Sequence, residues 1–405
     1  MSQLLVAQRA LTIPGWAKDA LWRGAQAVPS LDLRFADNKS LVDAVTGQQL
    51  VTHTRASSGT FVGSDGVLQT ATTNEPRFDH NPTTGESLGL LVEEARTNLL
   101  LRSEEFTEAI WQLFGTTSRS ANVVTAPNGT LTADSVTLPI SSGIFQSAAT
   151  TAGITLTFSI YIRCDTTQTV RILINTNLSD PTVKTVTATT AWQRFDVTKT
   201  TSVGTTSYSA QLDTGNGNTF YLWGAQLEAG AFPTSYIPTT TAAATHAADV
   251  ASSSGTNFSS FYNQTEGTVF AEATASPNIS TSYVAISNGT TSQNSTYFDN
   301  DTGIIRSVTF SASSAVSVLG LGSIGTVGTG NKLTSAYKAN DFAAARNGGT
   351  VQTDTSGAVP VSVTQLDIGR NPNAASAAYL SGTIKRLTYW PVRLADPTLV
   401  SITQP

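Results

Sequence analysis

The sequence predicts a mainly β fold: two antiparallel β-sandwich (jelly-roll) domains in tandem after a short N-terminal helical segment. Three observations carry that prediction. Ser and Thr together fill 107 of the 405 positions; β-branched Thr fits a pleated surface and Ser supplies turns. Charged residues make up 13% of the chain and Met occurs once, so helix-forming side chains are scarce. Apolar and polar residues alternate in short runs separated by Gly, Asn and Pro, the period of half-buried strands. The length itself suits two or three domains.

Residues 1–30 depart from the pattern. Leu4, Leu5, Ala7, Ala10 and Leu11, then Trp16, Ala17, Ala20 and Leu21, recur at helical spacing on either side of Pro14-Gly15. Helices this short need a packing partner, either their own domain or another subunit. Attachment to another subunit is the favoured expectation, with Leu4, Leu5, Trp16, Leu21 and Trp22 as contacts.

Residues 31–100 read as a strand- and turn-rich connecting region, with a D-G turn at Asp65-Gly66 and too little core of its own. Residues 101–238 carry alternating runs at 156–164, 170–175, 192–197, 208–212 and 220–227, which predict the first sandwich. The Thr/Ala/Ser-rich stretch 239–254 reads as a linker. Residues 255–405 repeat the style and add an N-G hairpin at Asn347-Gly348, predicting the second sandwich.

Several classes are excluded early. A hydrophobic content of 40% fills packed cores. A net charge of −5 argues against nucleic-acid binding. No apolar run approaches the ~18 residues of a membrane span, and Gln8 and Arg9 break the N-terminal apolar run, so no signal peptide is expected. The single cysteine excludes a disulfide framework, and its parity with Phe158, Ile160 and Ile162 places Cys164 in a core. His53, His80 and His246 form no HExxH or similar spacing, although a triad can assemble from distant positions. Gly320-Leu321-Gly322-Ser323-Ile324-Gly325 fits G-x-G-x-x-G in letters alone, with no helical segment after it. No catalytic residue, metal or cofactor is expected.

Parity also nominates a surface. Tyr161 and Arg163 oppose the Cys164 face, Arg171 opposes Ile172, and Trp192, Arg194 and Asp196 oppose Phe195 and Val197. If these strands are neighbours, one face presents Tyr161, Arg163, Arg171, Trp192 and Arg194, a mixture that suits a glycan platform, a solvated face or a subunit interface. Trp223 reads as core and Trp111 as a cap on the sandwich. Asp299-Asn300-Asp301 offers oxygens on a turn, short of a calcium loop. Glu93-Glu94 and Glu104-Glu105 are adjacent pairs whose members point to opposite faces of a strand, a poor arrangement for glycoside hydrolysis.

Phe61-Val62-Gly63-Ser64-Asp65-Gly66, Asn74-Glu75-Pro76-Arg77-Phe78-Asp79 and Gly89-Leu90-Leu91-Val92-Glu93-Glu94-Ala95-Arg96-Thr97-Asn98-Leu99 together resemble a segment of bacteriophage tail-fibre and minor structural proteins. There it precedes a carbohydrate-binding-module-like jelly roll, and residues 221–228 and 235–238 resemble that module's closing strand and exit loop. Residues 332–399, through Ala336-Tyr337-Lys338, Gly382-Thr383-Ile384 and Leu394-Ala395-Asp396, resemble the end of a concanavalin A-like (laminin G-like) lectin sandwich. The resemblance implies a virion structural protein, assembled in the host cytoplasm as a homo-oligomer, a trimer by analogy with fibres. Its partners would be other virion proteins and a host cell-surface glycan. A purely architectural decoration of capsid, neck or tail is the alternative, and a polysaccharide depolymerase is a more distant one.

Overall fold

The computed structural model describes residues 19–405 apart from 215–216, 276–279, 290–293, 326–327 and 373–377. The described chain is mostly antiparallel strand with four short helices, and its large sheets form two sandwiches. The first packs two five-stranded sheets. One runs Gln193–Thr200, Thr155–Arg163, Asn218–Ala229, Ala133–Leu138, Ser118–Val124; the other runs Thr182–Ala188, Gln168–Thr176, Ser207–Thr214, Ser142–Ala149, Gln112–Phe114. Between them Phe158, Ile160, Ile162 and Cys164 interleave with Ile172, Ile174, Phe220 and Leu222, all fully buried. Each such side chain contributes about 1.5–3 kcal/mol on leaving water.

The second sandwich packs an eight-stranded sheet on a seven-stranded one, and its membership corrects the expected domain boundaries. Leu31–Leu33, Phe78–His80 and Ser87–Val92 belong to the larger sheet, with Leu31 opposite Tyr389 and Leu90 opposite Ile384. Residues 31–100 are therefore not a separate connecting region. The supposed linker, 239–254, carries two short strands. Val250–Ser254 lies between Thr52–Thr54 and Gln365–Ile368, and Ala244–His246 pairs with Arg96–Asn98. The first sandwich is thus inserted into the second. The chain begins the second body, leaves through Arg96–Asn98, builds the first body, and returns beside its own exit strand. The Thr/Ala/Ser content that imitated a linker suits short strands packed under neighbours, where small side chains fit.

Asn98 holds the two ends of the insertion together. Its buried amide donates to the carbonyls of Ala225 (3.0 Å) and Ile237 (2.9 Å), and its oxygen accepts from Leu100 and Leu227.

Asp19 caps the helix Ala20–Ala25 through Leu21 and Trp22 amides, satisfying donors that a helix start leaves free. Trp22 does not serve as an external anchor. Its ring is buried on its own chain, its indole N–H donates to Asp32 at 3.0 Å, and Arg34 lies over it. Leu21 is half-buried against the C-terminal helix Asp396–Ile402, in a cleft shared with Phe270 and Ile402. Leu4, Leu5 and Trp16 lie outside the described residues.

Candidate functional site

Four of the five residues nominated by parity reach one sheet. Tyr161 stands opposite Arg194 on one side and Trp223 on the other, and Arg163 stands opposite Tyr221. Trp192, one residue before the strand Gln193–Thr200, shares that face. Arg171 does not join them. Its strand crosses to the other sheet, where the guanidinium binds Asp213. Arg171 keeps the alternation of its own strand, but the chain switches sheets between 163 and 168 and separates it from Arg163.

The exposed half of this face is a stripe. The Arg163 guanidinium lies between two rings, 5.2 Å from the centre of Tyr221 and 6.0 Å from that of Trp192. Asp165 accepts the Tyr221 hydroxyl at 2.9 Å and keeps 72% of its side chain exposed, while Arg163 keeps 28%. The hydrogen bond to Asp165 raises the Tyr221 hydroxyl above its ordinary range. The Trp192 indole N–H is fixed on the Thr125 carbonyl at 2.9 Å. Two held rings, a cation and a carboxylate give stacking faces and hydrogen-bonding edges together, the composition of a saccharide subsite. Sequence reasoning missed Tyr221 and Asp165; the signal was available, since Tyr221 has the opposite parity to buried Phe220 and Leu222.

Tyr161 and Arg194 serve the inner half. Arg194 donates to the Thr234 carbonyl (2.7 Å) and to Ser159 Oγ (2.9 Å), and it lies 5.5 Å from the Tyr161 ring centre. Tyr161, Trp223 and Tyr236 pack edge to face or tilted, with centroids 4.6–6.4 Å apart. Trp223 is buried, yet on this outer face with Ala126, Ala133 and Tyr236 and not in the main core. The hairpin Gly59–Val62/Leu68–Ala71, turned at Asp65-Gly66, brings Leu68 onto the cluster.

Deeper in the junction sits a closed charge cluster. Arg77 forms an ion pair with Glu93 (2.9 Å) and donates to Ser235 (2.7 Å) and Asp249. Arg55 reaches Asp249 at 3.0 Å, and His53 lies 3.3 Å from the same carboxylate. Ser235, from the exit loop of the first sandwich, gives both its N–H and its hydroxyl to Glu93. Burial alone would raise both carboxyls, but the neighbouring guanidinium of Arg77 holds Glu93 and Asp249 below their usual range. Burial also lowers His246, keeping it neutral against the attraction of Glu93. Glu93, His246 and Asp249 converge closely enough to ligate a metal. Arg55 and Arg77 already supply the two positive charges a divalent ion would bring, so the two carboxylates are charge-balanced by the chain itself. The segments that carry the phage resemblance, including Arg77, Glu93, Asn98 and Ser235, therefore build the junction between bodies.

The remaining acidic candidates are also committed. Asp299 and Asp301 end the strand Ser295–Asp301 and both bind Arg306 (2.6 and 2.8 Å), so they are strand residues sharing a guanidinium and not a turn. Glu94 binds Arg96, Glu104 accepts the Tyr236 hydroxyl and Glu105 binds Arg102. The two members of each adjacent glutamate pair bind different partners.

No protein-family model matches the chain, and no curated protein is similar to it in sequence. Solved structures similar to part of it include the carbohydrate-binding module CBM40 of the Ruminococcus gnavus IT-sialidase bound to α2,3-sialyllactose. That match has 17% identity over 35% of this chain and 84% of the other, with a TM-score of 0.31. The CBM22-1 xylan-binding domain of Paenibacillus barcinonensis Xyn10C matches at 12% identity over 34% of this chain and 94% of the other, TM-score 0.28. The enzymatically active domain of bacteriophage CBA120 tailspike protein 4 matches at 11% identity over 33% of this chain and 21% of the other, TM-score 0.26.

Proposed function

We propose that this chain is a glycan-binding structural protein of a phage particle, a fibre or spike whose first sandwich grips host saccharides without cleaving them. The observation that carries the adhesion reading is the stripe of Trp192, Arg163, Tyr221 and Asp165, held open on the outer sheet face. A sugar ring stacks on either aromatic face while Arg163 and Asp165 meet its hydroxyls. Such sites bind weakly one by one, and a trimeric fibre multiplies them. The particle assignment is supported by the sequence resemblance alone, with residues 1–18 as the attachment segment in place of Trp22.

The test is a surface-glycan array probed with the intact chain, the Trp192→Ala variant and the Tyr221→Ala variant. Binding to one glycan class that both variants abolish is the expected result. No binding on any glycan, with tight capture by a capsid or tail protein instead, would replace this reading with the architectural one. Shortening of a host polysaccharide by the pure chain would replace it with a depolymerase.

A further inference from the structure

The exposed stripe is not the only place where this face presents polar groups beside aromatic rings. Where the first sandwich meets the hairpin Gly59–Val62/Leu68–Ala71, a cleft of about 200 Å³ opens, lined by Phe61, Asp79, Tyr161, Arg194, Pro233 and Tyr236. We propose that this cleft is a second binding site, for one neutral monosaccharide ring, held by Asp79 and Arg194 between the two bodies.

The groups complement a polyol. Asp79 accepts backbone N–H groups of Val62 (2.7 Å) and His80, and burial pushes its carboxyl up to about 6. A carboxylate has about four lone-pair sites, so it retains capacity to accept from sugar hydroxyls. Arg194 has its two terminal nitrogens fixed on Thr234 and Ser159, which leaves its Nε–H buried without a hydrogen-bond partner. The Nε–H itself has no open surface, so a sugar oxygen meets the second N–H that each terminal nitrogen keeps. Phe61 and Tyr161, both half-buried, line the cleft with apolar ring surface, against which the C–H side of a pyranose packs.

Size and charge narrow the ligand. The volume falls below the ~300–1,000 Å³ of sites for drug-sized molecules, which suits a single ring and not a chain. Glu93 also lines the cleft, though Arg77 and Ser235 already bind it. An acidic sugar would meet two carboxylates there, so a neutral ring is favoured. This site shares no residue with the stripe of Trp192, Arg163 and Tyr221, and the two readings stand or fall separately.

Saturation-transfer NMR and calorimetric titration of the intact chain test the proposal, with D-glucose, D-galactose, D-mannose, N-acetyl-D-glucosamine and N-acetylneuraminic acid as probes. At least one neutral sugar is expected to bind. Its affinity should fall tenfold or more in Asp79→Asn, a variant that keeps an oxygen for Val62, and in Leu68→Trp, which fills the cleft. Lys184→Ala, an exposed change on the opposite sheet, should leave that affinity within twofold. Absence of binding by every neutral probe overturns the proposal, as does binding that survives both cleft variants or that Lys184→Ala lowers equally.

Discussion

Arg77 and Asp249 stand 172 positions apart in the chain, yet the guanidinium of one donates directly to the carboxylate of the other in full burial. Between them in sequence lies the whole first sandwich. The pair therefore closes the loop from which that body hangs, and Glu93 and Ser235 extend the closure to its exit segment. A buried pair of this kind contributes less through attraction than through the penalty of breaking it.

Removing one member leaves an uncompensated buried charge. Arg77→Ala and Asp249→Ala are each expected to cost about 3–5 kcal/mol of stability, read as a fall in the urea midpoint. A double variant should cost less than the sum, because each single change already breaks the same network. Strict additivity would show that the two residues do not act together.

Acid should loosen the junction, with the sign set by three groups. His246 is lowered from 6.5 by burial, so its neutral form stabilises the fold above that value and the contribution drains away as pH falls below it. Glu93 and Asp249 are held below their ordinary 4.5 and 3.8. Their contribution is whole above those values and is lost as pH falls further, through the depressed folded-state range. Urea midpoints measured from pH 8 to pH 3 on the Asp79→Asn variant, which lacks an opposing carboxyl, should decline below about 6.5 and more steeply below about 4.5.

Asp79 works in the opposite direction. Its carboxyl is raised from 3.8 to about 6, so its ionised form weakens the fold above about 6 and protonation relieves that weakness between 6 and 3.8. Asp79→Asn should raise stability by about 2–3 kcal/mol at pH 8, from a shift near two units at about 1.4 kcal/mol each. At pH 3.5 the gain should vanish. An equal gain at both values would assign the effect to something other than ionisation.

The aromatic residues of the outer face divide by burial. Trp223 is 1% exposed, and Trp223→Ala should cost about 3–5 kcal/mol by leaving a cavity. Trp192 and Tyr221 are half-buried, and either alanine variant should shift the thermal midpoint by the equivalent of about 1 kcal/mol or less. A large destabilisation by Trp192→Ala would mark the stripe as a packing element.

What the sequence determined alone is what depends on near neighbours. The parity of Phe158, Ile160, Ile162 and Cys164 settled which side of that strand is core, because successive side chains on a strand point to opposite faces. Asp65-Gly66 settled a turn, since Gly66 sits at φ 77°, where glycine carries no steric penalty. The folded molecule alone decided which strands lie side by side. Arg171 obeys the same parity as Tyr161 but lies on the other sheet, and Leu31 finds its partner at Tyr389, at the far end of the chain. The insertion of one sandwich into the other, the pairing of Arg77 with Asp249 and the Asp79 cleft are likewise tertiary. Such contacts form by closing long loops, whose entropy rises only slowly with length. Sequence distance therefore says little about which partner a strand or a charge will meet.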